Sequence, residues 1–348
     1  MEQTTIIPSP TSYLPMVVEA SEQTTNIGET IIDAEIITEE APASPFIEAN
    51  SQPTTRSELM NDCIIPVYAK DNEVLISHNQ FIEATYQAAR DFYQGETIAE
   101  PEIRVSHIIR GRVPEAINKP ASQLLPEDKT MYWERMCFCI EIPSLWQDIN
   151  GNRLNLSICG VKSYGMENLN GRLTAQKFTF AVGFQNKACC NLCLWTDGYK
   201  QDQRAMSTAE IYRGVLELLQ QYDWARHIHL MKSLGEVSLS EHQFALLLGR
   251  MRLYNYLPTY KQRTIPELLI TDSMVNNIAK QYIRDANFKA NGEGELSMWN
   301  FFNLMTGAVK NGSYIDSFIQ RQVNATDIAL GLTATLKGTD STYSWFLS

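Results

Sequence analysis

The side chains in this sequence with the chemistry to hold a metal or attack a substrate are seven cysteines, five histidines and a scatter of paired carboxylates. Cys189, Cys190 and Cys193 lie within five residues, and the order of strands read from the sequence lets Cys137 and Cys139 face them from a neighbouring strand. A structural zinc site needs four ligands at tetrahedral spacing. Cys190-Asn191-Leu192-Cys193 supplies one pair, but Cys137-x-Cys139 is an irregular second pair inside a regular strand pattern, so buried thiols packing as small hydrophobes are expected, and no metal. His227 and His229 would point about 200° apart on a helix and could not converge on one ion. No phosphate-binding Gly-rich loop, Gly-x-Ser-x-Gly elbow or His-Glu-x-x-His pair occurs. Nothing places Glu134, Glu141 and Asp148 in a common cleft. No catalytic residue or cofactor is therefore expected, and a non-enzymatic role is favoured over catalysis.

Cations interleaved with aromatic rings suggest a different chemistry. Arg104, Arg110, Arg112, Lys119, Lys129 and Arg135 follow one another through a strand-rich region that also holds Tyr132 and Trp133, and Lys177, Lys187, Lys200 and Arg204 lie near a later hairpin. A sheet face of this kind can track phosphates with its cations and stack bases on its rings. Arg110, Arg112, Arg135 and Lys187 are the expected phosphate contacts and Trp133 the expected stacking ring. The competing reading is that these cations only protect strand edges.

Short strands are expected at 63–68 and 73–76, then a helix capped by Asn79, running through Phe92 and stopped near Gly95. Segments 103–109, 131–142, 154–164 and 178–195 read as strands, with a bend at Gln185-Asn186-Lys187, a loop at Gly151-Asn152, and an interruption at 114–126 in which 121–125 form a helical turn. Beyond residue 205 the period is helical. Ser207 to Glu210 and Ser240 to Gln243 each fit a capping box, and further helices are expected at 273–283, 298–309, 315–321 and 326–336. Strands followed by a run of helices argue α+β: a mostly antiparallel sheet over about 63–200, then a helical half.

Ten acidic side chains but one basic one, Arg56, and six of the fourteen prolines fall in residues 1–60. The tail thus accounts for about −9 of the net −11, leaving 30 acids against 28 bases in 61–348. Without Trp, Cys or Lys and without a sustained period, residues 1–60 are expected to be a disordered acidic tail. One core is expected at 61–348, sheet-rich over 61–205 and helical over 206–348. The opening Met1-Glu2-Gln3-Thr4-Thr5 has no basic leader and no apolar run reaches the length of a membrane span, so a cytoplasmic protein that does not engage membranes is expected.

Several stretches resemble one family: 110–116, 119–122, 130–136, 183–187 (Gly-Phe-Gln-Asn-Lys), 191–198 (Asn-Leu-Cys-Leu-Trp-Thr-Asp-Gly), 241–245, 299–307, 313–316 and the closing Trp345-Phe346-Leu347. Together, over about 100–348, they resemble domain-of-unknown-function family 3871, uncharacterised proteins carried on mobile elements of gut bacteria, and more distantly a phage and plasmid family. The resemblance implies no assigned activity and no catalytic residues. Its mobile-element context implies a DNA-handling role in replication or recombination, and with the interleaved cations and rings the expectation is a non-enzymatic single-stranded DNA-binding accessory. The alternative is a module that binds a host or replication protein through the acidic tail, and either role is compatible with a homo-oligomer. Asn191, Asp197, Asn303 and Asp316 are expected to cap helices and close turns rather than to bind.

Overall fold

The computed structural model describes residues 44–61, 75–164, 175–194 and 201–348. Its compact unit runs from Ser44 to Ser348. Met1–Ala43, most of the expected acidic tail, lies outside the described residues, as do the strand expected at 63–68, the first half of that at 73–76, and Asp197 and Lys200.

Residues 44–60, which composition places in the tail, are instead part of the unit. Phe46 and Ile47 are fully buried. Strand β1 (Gln52–Thr54) pairs antiparallel with β2 (Glu102–Val105), and helix α1 (Arg56–Asn61) follows. Average composition hid this because a few apolar side chains suffice to anchor a short segment once a sheet edge is there to receive it.

The sheet is seven-stranded and antiparallel, in the order β1-β2-β5-β6-β7-β8, with β9 also on β7. Its long members are β5 (Arg135–Ile149), β6 (Asn152–Ser163) and β7 (Gln176–Asn186); β8 (Leu192–Leu194) and β9 (Gln201–Ala205) share the far side of β7. Between β5 and β6 the chain turns on Asn150-Gly151, both at positive φ (52° and 77°), the requirement of a two-residue hairpin whose twist matches its strands. The loop thus sits one residue before the expected one. β6 is buried continuously from Leu154 to Ser163, so the sheet is covered on both faces.

Helix α2 (His78–Phe92) covers one face. Phe81 meets the rings of Phe138, Phe178 and Phe180 at centroid distances of 5.1, 4.9 and 5.1 Å. Its cap is Ser77 rather than the expected Asn79: Ser77 Oγ accepts from Gln80 N while Gln80 Oε1 accepts from Ser77 N. Residues 75–77 are a non-strand lead into this helix.

The second half is helical as expected: α3 (Thr208–Gln221), α4 (Trp224–Ser233), α5 (Glu241–Tyr254), α6 (Thr259–Gln262), α7 (Asp272–Arg284), α8 (Met298–Gly312) and α9 (Ile315–Leu336), with a two-stranded β10 (Ser238–Leu239) and β11 (Leu296–Ser297). Ser240 and Gln243 close a full capping box. At α3 only half of it forms, because Glu210 Oε2 accepts from Met206 N and not from Ser207. The two helices expected at 315–321 and 326–336 are one. Asn324, the residue best suited to break them, spends its side chain on Leu269 N and Glu267 O, leaving the helix backbone intact. α9 packs on β5, β6, β7 and β8. The fold is α+β with a mostly antiparallel sheet and a helical C-terminal half. Among the described residues no helix is long and apolar enough to cross a membrane.

Candidate nucleic-acid interface

Strands β3 (Ile108–Arg112) and β4 (Lys129–Trp133) pair with each other and not with the main sheet, forming a separate two-stranded ribbon. Its register sets Arg112 opposite Lys129 and Arg110 opposite Met131, so strand alternation puts Arg110, Arg112 and Lys129 on one face. The side chains of Arg110 and Lys129 are exposed and make no hydrogen bond or ion pair with described residues. Arg112 is spent locally, its Nη1 donating to Lys119 O at 2.5 Å. Lys119 is spent as well, its Nζ lying 2.7 Å from Asp128 Oδ1, and that hydrogen bond holds the Asp128 carboxyl below the usual range.

The other expected contacts do not join this face. Trp133 is buried at 6% exposure, its carbonyl 2.8 Å from His78 Nε2, so it offers no face to a base and is removed as a stacking ring. It stands at the inner end of the ribbon, where strand alternation gives way to the core. Arg135 Nε is 3.2 Å from Asp316 Oδ2, and Lys187 Nζ is 3.0 Å from Glu141 Oε2. Glu141 is six residues along β5 from Arg135, about 20 Å at the strand rise. Four of the five expected residues are therefore buried, paired or bonded to backbone, and they do not line one groove.

The six described cysteines are free thiols, five of them buried. β5 and β8 are three strand spacings apart, about 14 Å, so Cys137 and Cys139 do not face Cys190 and Cys193. The cross-strand partner of Cys139 is Cys159, with Sγ atoms 3.5 Å apart. Burial pushes the Cys137 and Cys193 thiols well up. His227 is buried with Nδ1 2.7 Å from Tyr222 Oη, whereas His229 is exposed, so the two diverge. Among the described residues no three His, Cys, Asp or Glu side chains are grouped to hold a metal ion.

The stretches at 183–198 and 299–307 meet in the fold. Asn186 Nδ2 donates to Asn303 Oδ1 at 3.1 Å, Asn191 Nδ2 to Asn303 O at 2.9 Å, and Asn303 Nδ2 to Trp299 O at 2.9 Å. Lys310 Nζ, buried beside them, donates to Cys189 O and Ser44 Oγ at 2.9 and 2.6 Å. This amide knot ties the β7–β8 turn, where Cys190 takes a left-handed φ of 55°, to α8. A family model described as "Domain of unknown function, B. Theta Gene description (DUF3871)" matches residues 27–347. The chain belongs to the DUF3871 family. The match reaches well beyond the resemblance over 100–348, into residues first read as tail. No curated protein and no solved structure matches the chain. In this DUF3871 chain Asn191 and Asn303 close a turn, as expected, and Asp316 holds Arg135.

One exposed surface escapes a reading that seeks cations only among strands. It is the corner of α5 and α6, where Tyr256 and Tyr260 stand 71% and 69% exposed. Its sequence signal is a run from 242 to 266 with no Asp or Glu.

Proposed function

We propose that this DUF3871 protein is a non-enzymatic nucleic-acid-binding factor, a single-stranded DNA accessory of mobile-element replication or recombination working in the cytoplasm. The observation that carries it is the β3–β4 ribbon, which presents Arg110 and Lys129 on one face without carboxylate partners among the described residues. Cations held on a rigid ribbon meet phosphates without first breaking an ion pair, and each phosphate neutralised on a single strand adds about −0.7 to the slope of log affinity against log salt. Fluorescence anisotropy of a labelled oligonucleotide across a salt series tests it. Arg110→Ala with Lys129→Ala should weaken binding and flatten the slope by about 1.4. No affinity at low salt, or a slope that the double variant leaves unchanged, sinks the reading.

A protein partner is the second reading, favoured by Ile117 and Leu125, exposed at 63% and 52% on the loop between β3 and β4. If the acidic segment recruits that partner, deleting residues 1–43 removes it from a pull-down while oligonucleotide binding persists.

A further inference from the structure

We propose that the corner formed by α5 and α6 is a stacking platform for the bases of single-stranded nucleic acid, with Tyr256 and Tyr260 as the rings and Lys261 and Arg263 as the phosphate contacts. Exposed tyrosines standing singly need no account. Here two stand four residues apart, 71% and 69% exposed, beside Leu253 at 47%. Their Cα atoms are held within about 14 Å by the reach of the chain.

The backbone beneath them is fixed. Asn255 Nδ2 donates to Met251 O and Ile270 O at 3.1 and 3.2 Å, Gln262 Nε2 donates to Tyr254 O at 2.9 Å, and Lys261 N donates to Pro258 O at 2.9 Å. Tyr254 turns inward against Trp345 and Phe346, ring centroids 6.5 and 6.2 Å away. The rings are thus carried on an ordered corner, and little backbone entropy remains to be lost when a ligand lands on them.

Charge selects the occupant. Residues 242–266 hold four Lys and Arg and no carboxylate. Arg250 bonds the Ser348 carbonyl and lies 5.0 Å from the Trp345 ring, and Arg252 pairs with Asp272 at 2.7 Å. Lys261 and Arg263 are exposed and make no side-chain bond to described residues. Rings flanked by free cations match bases joined by phosphates, and a duplex, whose bases are already stacked on each other, cannot use the rings. The site rests on the nucleic-acid reading and deepens it by assigning the stacking of the single strand to a second surface that shares no residue with the ribbon.

The test uses the full chain with labelled oligothymidylate and a labelled duplex of equal length. Tyr256→Ala with Tyr260→Ala should lose roughly 10- to 100-fold in affinity for the single strand and under about twofold for the duplex, and the corresponding Phe pair should restore binding. Ultraviolet cross-links should map to the peptide carrying Tyr256 and Tyr260. Unchanged single-strand affinity in the Ala pair, or equal losses for both probes, overturns the proposal. So does displacement of a second copy, seen as an oligomer turned to monomer with oligonucleotide binding intact, or binding of polyglutamate in place of oligothymidylate. If the Arg110 and Lys129 variants bind normally while the tyrosine pair fails, the ribbon reading falls and this one stands.

Discussion

Two buried histidines dominate the acid response at the scale of single residues. Burial pushes both His78 and His227 down to about 3. His78 Nε2 faces a carbonyl and so carries the proton, which leaves Nδ1 a bare acceptor without a partner among the described residues. Because the folded values lie below the ordinary 6.5, the unfolded chain takes up protons first as the pH falls. Stability should therefore drop below about pH 6.5, by about 1.4 kcal/mol per pH unit for each histidine, until about pH 3. Asp327, whose carboxyl burial pushes up to about 6, opposes this in the upper part of that window, but its side chain is exposed and its effect is discounted for solvent. Urea midpoints at pH 7 and pH 5 check the sign, and equal midpoints would contradict it.

The elements were legible where periodicity and caps agree. The strands β5 to β7, the bend after Asn186 and the full box at Ser240 all follow from local chemistry. What local chemistry missed was partner choice. The gap expected between 321 and 326 closes because Asn324 spends its side chain on Leu269 and Glu267, and Trp133 reads as a stacking ring until the core closes over it. The amide knot is the same lesson in the other direction, since Asn303 lies more than a hundred residues from the turn it locks. Replacing Asn303 by Ala removes the Oδ1 acceptor of Asn186 and the amide that donates to Trp299 O in a buried site, while the Asn191 bond, made to the Asn303 carbonyl, survives, a cost of about 1–3 kcal/mol. Thermal unfolding of Asn303→Ala measures it, and a shift smaller than that of an exposed control such as Asn276→Ala would show that the knot does not hold the turn.

For the whole molecule, the boundary at residue 44 makes a sharp distinction between two truncations. Removing residues 1–43 leaves every described residue in place and serves as the reference for the longer truncation. Removing 1–60 also takes Phe46, Ile47 and Leu59 out of the core, at about 1.5–3 kcal/mol each, and strips β1 from the sheet edge. Equal melting temperatures for the two would place those side chains outside the core. By itself the sequence determined the α+β class, the antiparallel strands and most helix ends, because turns, caps and periodicity act over a few residues. Only the tertiary structure decided which charges are spent and which are free. Asp316, Glu141 and Asp128 reach Arg135, Lys187 and Lys119 through the fold, and Arg110, Lys129, Lys261 and Arg263 are left to face solvent, because an ion pair depends on distance in space and not on spacing along the chain.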